Sequence, residues 1–153
     1  MSKLELKSCH YSTNDLLAHE APMILVDKVV GYNETSIKSV VCINEKAPFL
    51  YGDAVPAYIA VEYMAQTIAC HKGVLALDLG EDVKIGFLLG TRKLTLSESD
   101  FLLGDILEIE ASVLYNDGEM AAFECIIMRE GVKVSNATLN VYQPDNFDAM
   151  EMT

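Results

Sequence analysis

The chain has 153 residues and a formal net charge of −12, with 51% hydrophobic and 22% charged residues. This length supports one domain with a real core, and this composition excludes disorder as the main state. The acidic balance argues against a nucleic-acid partner, because that affinity comes largely from Lys and Arg neutralising phosphates. No apolar run reaches the roughly 18 residues of a membrane span. Met1 to Lys7 has no signal-peptide apolar core, so a cytoplasmic protein is expected. Cys9, Cys42, Cys70 and Cys125 are scattered, without a CxxC pair or a Cys/His cluster. They read as ordinary reduced thiols, and no metal is implied.

In chain order, Ser12-Thr13-Asn14-Asp15 before Leu16-Leu17 reads as the cap of a short helix, which Pro22 should end. Met23 to Tyr32 reads as a strand, with a turn at Asn33-Glu34. Ser36 to Asn44 is a second strand, marked by Ile37, Val40-Val41 and Ile43. Glu45 to Val55 is a loop. A long helix follows, with Pro56 in its first turn, running to about Leu77 past a tolerated Gly73 and stopping at Gly80. Strands are expected at Val83–Leu94, Ile106–Tyr115, Met120–Arg129 and Val132–Tyr142. Asn116-Asp117-Gly118-Glu119 and Arg129-Glu130-Gly131-Val132 are hairpin signals. The apolar phase changes along the last strand, which predicts a bulge near Ser135-Asn136. Residues 1–144 form a single domain in this reading, and 145–153 an acidic, frayed tail.

Glu62 stands out. It lies in a helix that is apolar on nearly every face, and such a helix is normally buried. A carboxylate there is expensive unless it is paired, hydrogen-bonded or protonated. Either a structural partner holds it or it does chemistry. Gln66, one turn on, is placed to share its face and orient it. Two strands, one long helix and an antiparallel meander make an α+β hotdog fold, an antiparallel sheet wrapped around one central helix. One such sheet leaves an edge to be paired, so a homodimer or a larger hotdog assembly is expected.

Four short motifs then carry a family resemblance. His19-Glu20-Ala21-Pro22-Met23-Ile24-Leu25-Val26-Asp27 resembles the "PHRxPxLLVD" stretch of β-hydroxyacyl-(acyl carrier protein) dehydratases. Val55-Pro56-Ala57 with Glu62-Tyr63-Met64-Ala65-Gln66 resembles their "MPG…EAMAQ" helix. Gly86 to Leu94 and Gly104-Asp105-Ile106-Leu107 resemble the next two motifs, "F-x-x-G-x-x-x-x-x-F" and "GDxL". The likeness runs from about Asp15 to Tyr142. It is closer to the divergent dehydratases of aryl-polyene-type clusters, whose helix reads "VPxxxxxEYMAQ". One departure is serious. The typical "GHFPG" loop before the helix supplies the catalytic His; here the region is Phe49 to Pro56, shorter and without His.

The resemblance implies dehydration of a 3-hydroxyacyl thioester carried by acyl carrier protein, with no cofactor. Glu62 transfers as the acid, with a pKa raised by burial. Ala57 stands where a helix-start Gly donates its N–H to the thioester carbonyl, and Gln66 and Tyr58 fall among the substrate-binding positions. His19 is the leading candidate base, ahead of His10 in the N-terminal arm and His71 near the polar end of the helix. Asp53, Tyr51 and Tyr63 have weaker claims. Lys72, Lys84, Arg92 and Lys93 form a possible basic rim for an acidic carrier. Two alternatives stay open: a hotdog acyl thioesterase using the helix carboxylate, and a non-catalytic acyl-binding partner subunit.

Overall fold

The computed structural model describes residues 5–17 and 24–144, and a single 3-10 turn at Ala57–Ile59 leads into its central helix. The helices are α1, Thr13–Leu16, and α2, Ala60–Asp78. The strands are β1, Lys7–Ser8; β2, Lys28–Tyr32; β3, Ser36–Cys42; β4, Ala54–Pro56; β5, Phe87–Leu96; β6, Asp100–Leu102; β7, Ile106–Asn116; β8, Met120–Arg129; and β9, Val132–Tyr142.

Seven strands form one antiparallel sheet in the order β1-β2-β3-β7-β8-β9-β5, and β4 and β6 make a small second sheet. The large sheet wraps α2. From the helix, Tyr63, Met64 and Ile68 are buried; from the sheet, Ile37, Leu107, Ile109, Phe123, Ile127 and Leu139 are buried. The alternation of Leu107, Ile109 and Ala111 on β7 faces this core, as period-2 patterning requires. This is the α+β hotdog arrangement expected from the sequence.

Several local expectations hold, and others shift. The β8–β9 turn has positive φ at Glu130 (51°) and Gly131 (79°), the hairpin geometry whose twist matches the strands. The bulge on β9 falls at Val134: Ile127 pairs with Ser135 but Met128 with Lys133, one residue earlier than predicted. Ser12 caps α1 through a reciprocal box with Asp15. That helix ends at Leu16, because Leu17 is already extended (φ −108°, ψ 143°), so Pro22 does not terminate it. The strand expected from Met23 begins only at Lys28, since the Leu25 N–H is drawn to the Gln66 side chain on α2 rather than to a ladder. β1, β4 and β6, of two or three residues each, are too short to read from periodicity.

Gly73 is required rather than merely tolerated. A Cβ there would stand 2.3 Å from Leu16 O, so its absence lets α1 dock on α2. Tyr11 and Tyr32 donate to the Asp78 carboxylate at 2.9 and 2.6 Å, tying the N-terminal arm and β2 to the end of α2. No helix among the described residues is long and apolar enough to cross a membrane. The tail from Asp145, Pro22 and His19 lie outside the described residues.

Candidate functional site

A cavity of about 260 Å³ lies between the outer face of α2 and the place where β5 starts beside the end of β9. Glu62 and Gln66 line it, with Lys72, Lys84, Phe87 and Tyr142 among the other walls. α2 brings Glu62, Gln66 and Lys72 to one stripe. The pairing of Phe87 with Tyr142 brings β5 and β9 against that stripe.

Glu62 is exposed in the chain, not buried as the apolar helix suggested. The core side of α2 is packed against the sheet, whereas on this side β5 and β9 only border the helix across the cavity and leave the carboxylate open. At the third position of the helix the carboxylate also lies where the helix dipole favours negative charge. Gln66 is buried, and its Oε1 accepts the Leu25 N–H at 2.8 Å. It therefore anchors the stretch that leads into β2, besides walling the cavity.

Ala57 is buried and its N–H donates to Ser99 O at 3.0 Å, one step beyond the β4–β6 ladder. The donor expected for the thioester carbonyl is thus already engaged. Tyr58 is 64% exposed and does not line the cavity. Tyr51 and Asp53 are exposed in the preceding loop and line neither described hollow. His19, the candidate base, lies outside the described residues.

His71 sits in the core rather than at a polar helix end. Its Nε2 donates to Asn33 O at 2.8 Å and its ring meets Phe123 edge-on. That bond leaves Nδ1 as a buried nitrogen without a partner among the described residues. Burial pulls its pKa below the usual imidazole value, with the Asn33 carbonyl opposing. Tyr63 faces a second hollow of about 210 Å³ beside Asp27, Cys42 and Lys46, and burial pushes its phenol up to about 12. Asp27 is engaged there, accepting the Cys42 N–H at 2.6 Å.

Lys72 and Lys84, read from the sequence as a docking rim, are cavity walls. Val141, Tyr142 and Gln143 were missed altogether. Their only sequence signal was a place at or just past the end of the last strand, and that does not say which strand lies beside it.

Among the described residues β5 is an edge strand, paired on one side only with β9, and its apolar residues Phe87, Leu88, Leu89, Leu94 and Leu96 are all exposed. A long apolar edge of this kind is a template for pairing.

Comparison with known proteins fits this arrangement. The family model of the ApeP-like proteins, described as ApeP dehydratase, matches residues 11–152. The 3-hydroxyacyl-[acyl-carrier-protein] dehydratase FabZ of Pseudothermotoga lettingae is 32% identical over 131 residues, 82% of this chain and 89% of the relative. A chain of the dehydratase heterocomplex ApeI:P from Xenorhabdus doucetiae superposes with a TM-score of 0.88 at 28% identity, over 94% of this chain and 98% of that one. A hypothetical thioesterase from Streptococcus pneumoniae, solved with coenzyme A, shares the fold alone, with a TM-score of 0.57 at 14% identity over 76% and 84% of the two chains. With its hotdog core, its helix carboxylate beside a cavity and these relatives, this chain belongs to the ApeP-like family of hotdog-fold proteins, related to the FabZ-type dehydratases.

Proposed function

We propose that this chain is the acyl-thioester-binding subunit of a two-chain hotdog dehydratase, pairing through its β5 edge with a second hotdog chain that completes the catalytic centre. The observation that carries the proposal is the half-equipped site. A carboxylate stands beside a cavity at Glu62, while the loop before α2 has no His and the Ala57 N–H is bonded to Ser99 O. Dehydration needs a base for the proton next to the carbonyl, an acid for the leaving hydroxyl and an oxyanion donor. Glu62, which lines the cavity, is the carboxyl placed to serve the acid role. Similarity to a chain of a dehydratase heterocomplex supports the two-chain reading. The substrate in this proposal is a 3-hydroxyacyl thioester on acyl carrier protein.

The test is co-expression with a second hotdog chain, followed by mass spectrometry of a 3-hydroxyacyl thioester converted to the enoyl form. The complex should turn over, and this chain alone should be far slower. Equal turnover by the chain alone would refute the subunit reading and point back to a self-sufficient enzyme. In that case His19→Ala, in the dehydratase-like N-terminal motif, should abolish turnover. A thioesterase reading has one observation in its favour, the open access of water to Glu62. Release of free thiol from an acyl thioester separates it from dehydration.

A further inference from the structure

The cavity has two chemically different ends. Glu62 and Gln66 mark the end nearer the start of α2. Lys72 stands ten residues after Glu62, about 15 Å along the axis at a rise of 1.5 Å per residue. Lys84 is brought towards the same end by β9. Gln143 donates through Nε2 to Lys84 O at 3.1 Å, and its backbone N–H reaches Glu119 O at 2.8 Å, in the β7–β8 turn that also holds Asp117. Between the two ends the walls are mainly apolar, with Ala65, Ile68, Ala69, Leu88 and Val141.

Neither lysine joins an ion pair among the described residues; those pairs are Arg129 with Glu98 and with Asp105. Lys72 is half-buried, and burial draws its ammonium below the usual lysine range, with Asp117 opposing. Asp117 acts on Lys72 through its field, and no ion pair joins the two. Its carboxylate already takes hydrogen bonds from Tyr115 Oη, Glu119 N and Met120 N. An ammonium carries three donors, and no protein acceptor among the described residues engages those of Lys72. A partly desolvated cation in this state gains more from an incoming anion than a fully hydrated one would.

We propose that Lys72 and Lys84 form an anion-accepting end of this cavity, holding a phosphate or carboxylate carried about 15 Å from the atoms that face Glu62. The proposal rests on the acyl-thioester reading of the cavity. The anion has two chemical sources: the phosphate of a pantetheine arm, which would make the lysine end the entrance, or a carboxylate at the far end of the acyl chain, which would make it the terminus.

Titration calorimetry on the purified full chain separates them with three probes: S-octanoyl pantetheine, S-octanoyl phosphopantetheine and S-suberoyl pantetheine, whose acyl chain ends in a carboxylate. One anionic probe should bind about tenfold more tightly than the neutral one at low salt, and the gain should shrink as salt screens it. Combining Lys72→Met with Lys84→Met should reduce the gain to about twofold or less, while neutral-probe affinity and thermal unfolding stay near wild type. A gain for phosphopantetheine assigns the entrance, and a gain for the suberoyl probe assigns the terminus. No gain from either anion, or a gain that survives in the double variant, overturns the proposal. If only anionic probes bind, and do so through the lysines, the acyl reading fails while the anion site stands. If no probe binds, both fall.

Discussion

Replacing Gly73 by alanine sets two effects of opposite sign against each other. In an exposed helix interior the change would stabilise by about 0.8–1 kcal/mol, because Gly is the poorer helix former. Here the new Cβ would lie 2.3 Å from Leu16 O, 3.1 Å from its carbonyl carbon and 3.2 Å from its Cα. All three are backbone atoms, so no side-chain rotation relieves the overlap. α1 would have to retreat by about an ångström, and it is held by Leu16 and Leu17, both buried. Overpacking of this kind costs about 1–3 kcal/mol, and a backbone contact with anchored neighbours belongs at the upper end. The net expectation is a loss of about 1–2 kcal/mol, which for a chain of this size lowers the melting temperature by roughly 2–8 °C. Chemical denaturation and thermal unfolding measure it. Hydrogen exchange should locate the loss in residues 5–17, including the segment that places Tyr11 on Asp78. An alanine variant as stable as wild type, or more so, would show that helix propensity outweighs the contact and that α1 is loosely docked.

Glu62→Gln should leave stability nearly unchanged, since the side chain is exposed and makes no ion pair among the described residues. In the two-chain complex it should lower dehydration by on the order of 100-fold or more, measured by product formation; unchanged turnover would make Glu62 a helix-start residue only. His71 predicts a pH dependence. Its folded pKa lies below the ordinary 6.5, so the unfolded chain takes up the proton first. Stability is therefore full above about 6.5 and declines as pH falls through that value towards the folded pKa. Melting temperatures between pH 8 and 5 should show this slope, and His71→Gln should flatten it. Leu89→Asp places a charge on the free β5 edge, where Leu89 is 54% exposed. The chain should fold as before and lose co-purification with its partner, and retained pairing would move the interface away from β5.

Much of the fold was legible because it is written in local periodicity. The segment from Pro56 to Cys70, apolar on nearly every face, specifies a helix packed into the core, and the alternation on β7 specifies a half-buried strand. Positive φ at Glu130 and Gly131 forms the β8–β9 hairpin that their sequence signals. Glu62 was conspicuous for the same reason, as a charge breaking an apolar pattern. The rest depends on neighbours far apart in the chain. That β5 lies at the sheet edge beside β9, and not next to β7, brings Lys84 and Gln143 to the cavity, and no spacing in the sequence encodes that choice. The Ala57 N–H looked free because its acceptor, Ser99 O, lies in a turn 42 residues on. Gly73 looked incidental because Leu16, which excludes a side chain there, is 57 residues away. Glu62 looked buried because burial was inferred from its helix, whereas exposure is set by which faces the sheet covers. By itself the sequence determined the longer elements and the family motifs, since these are properties of short stretches of chain. Only the tertiary structure decided which donors are engaged, which charges share a cavity and which edge is open, since hydrogen bonding and desolvation act between groups that packing alone brings together.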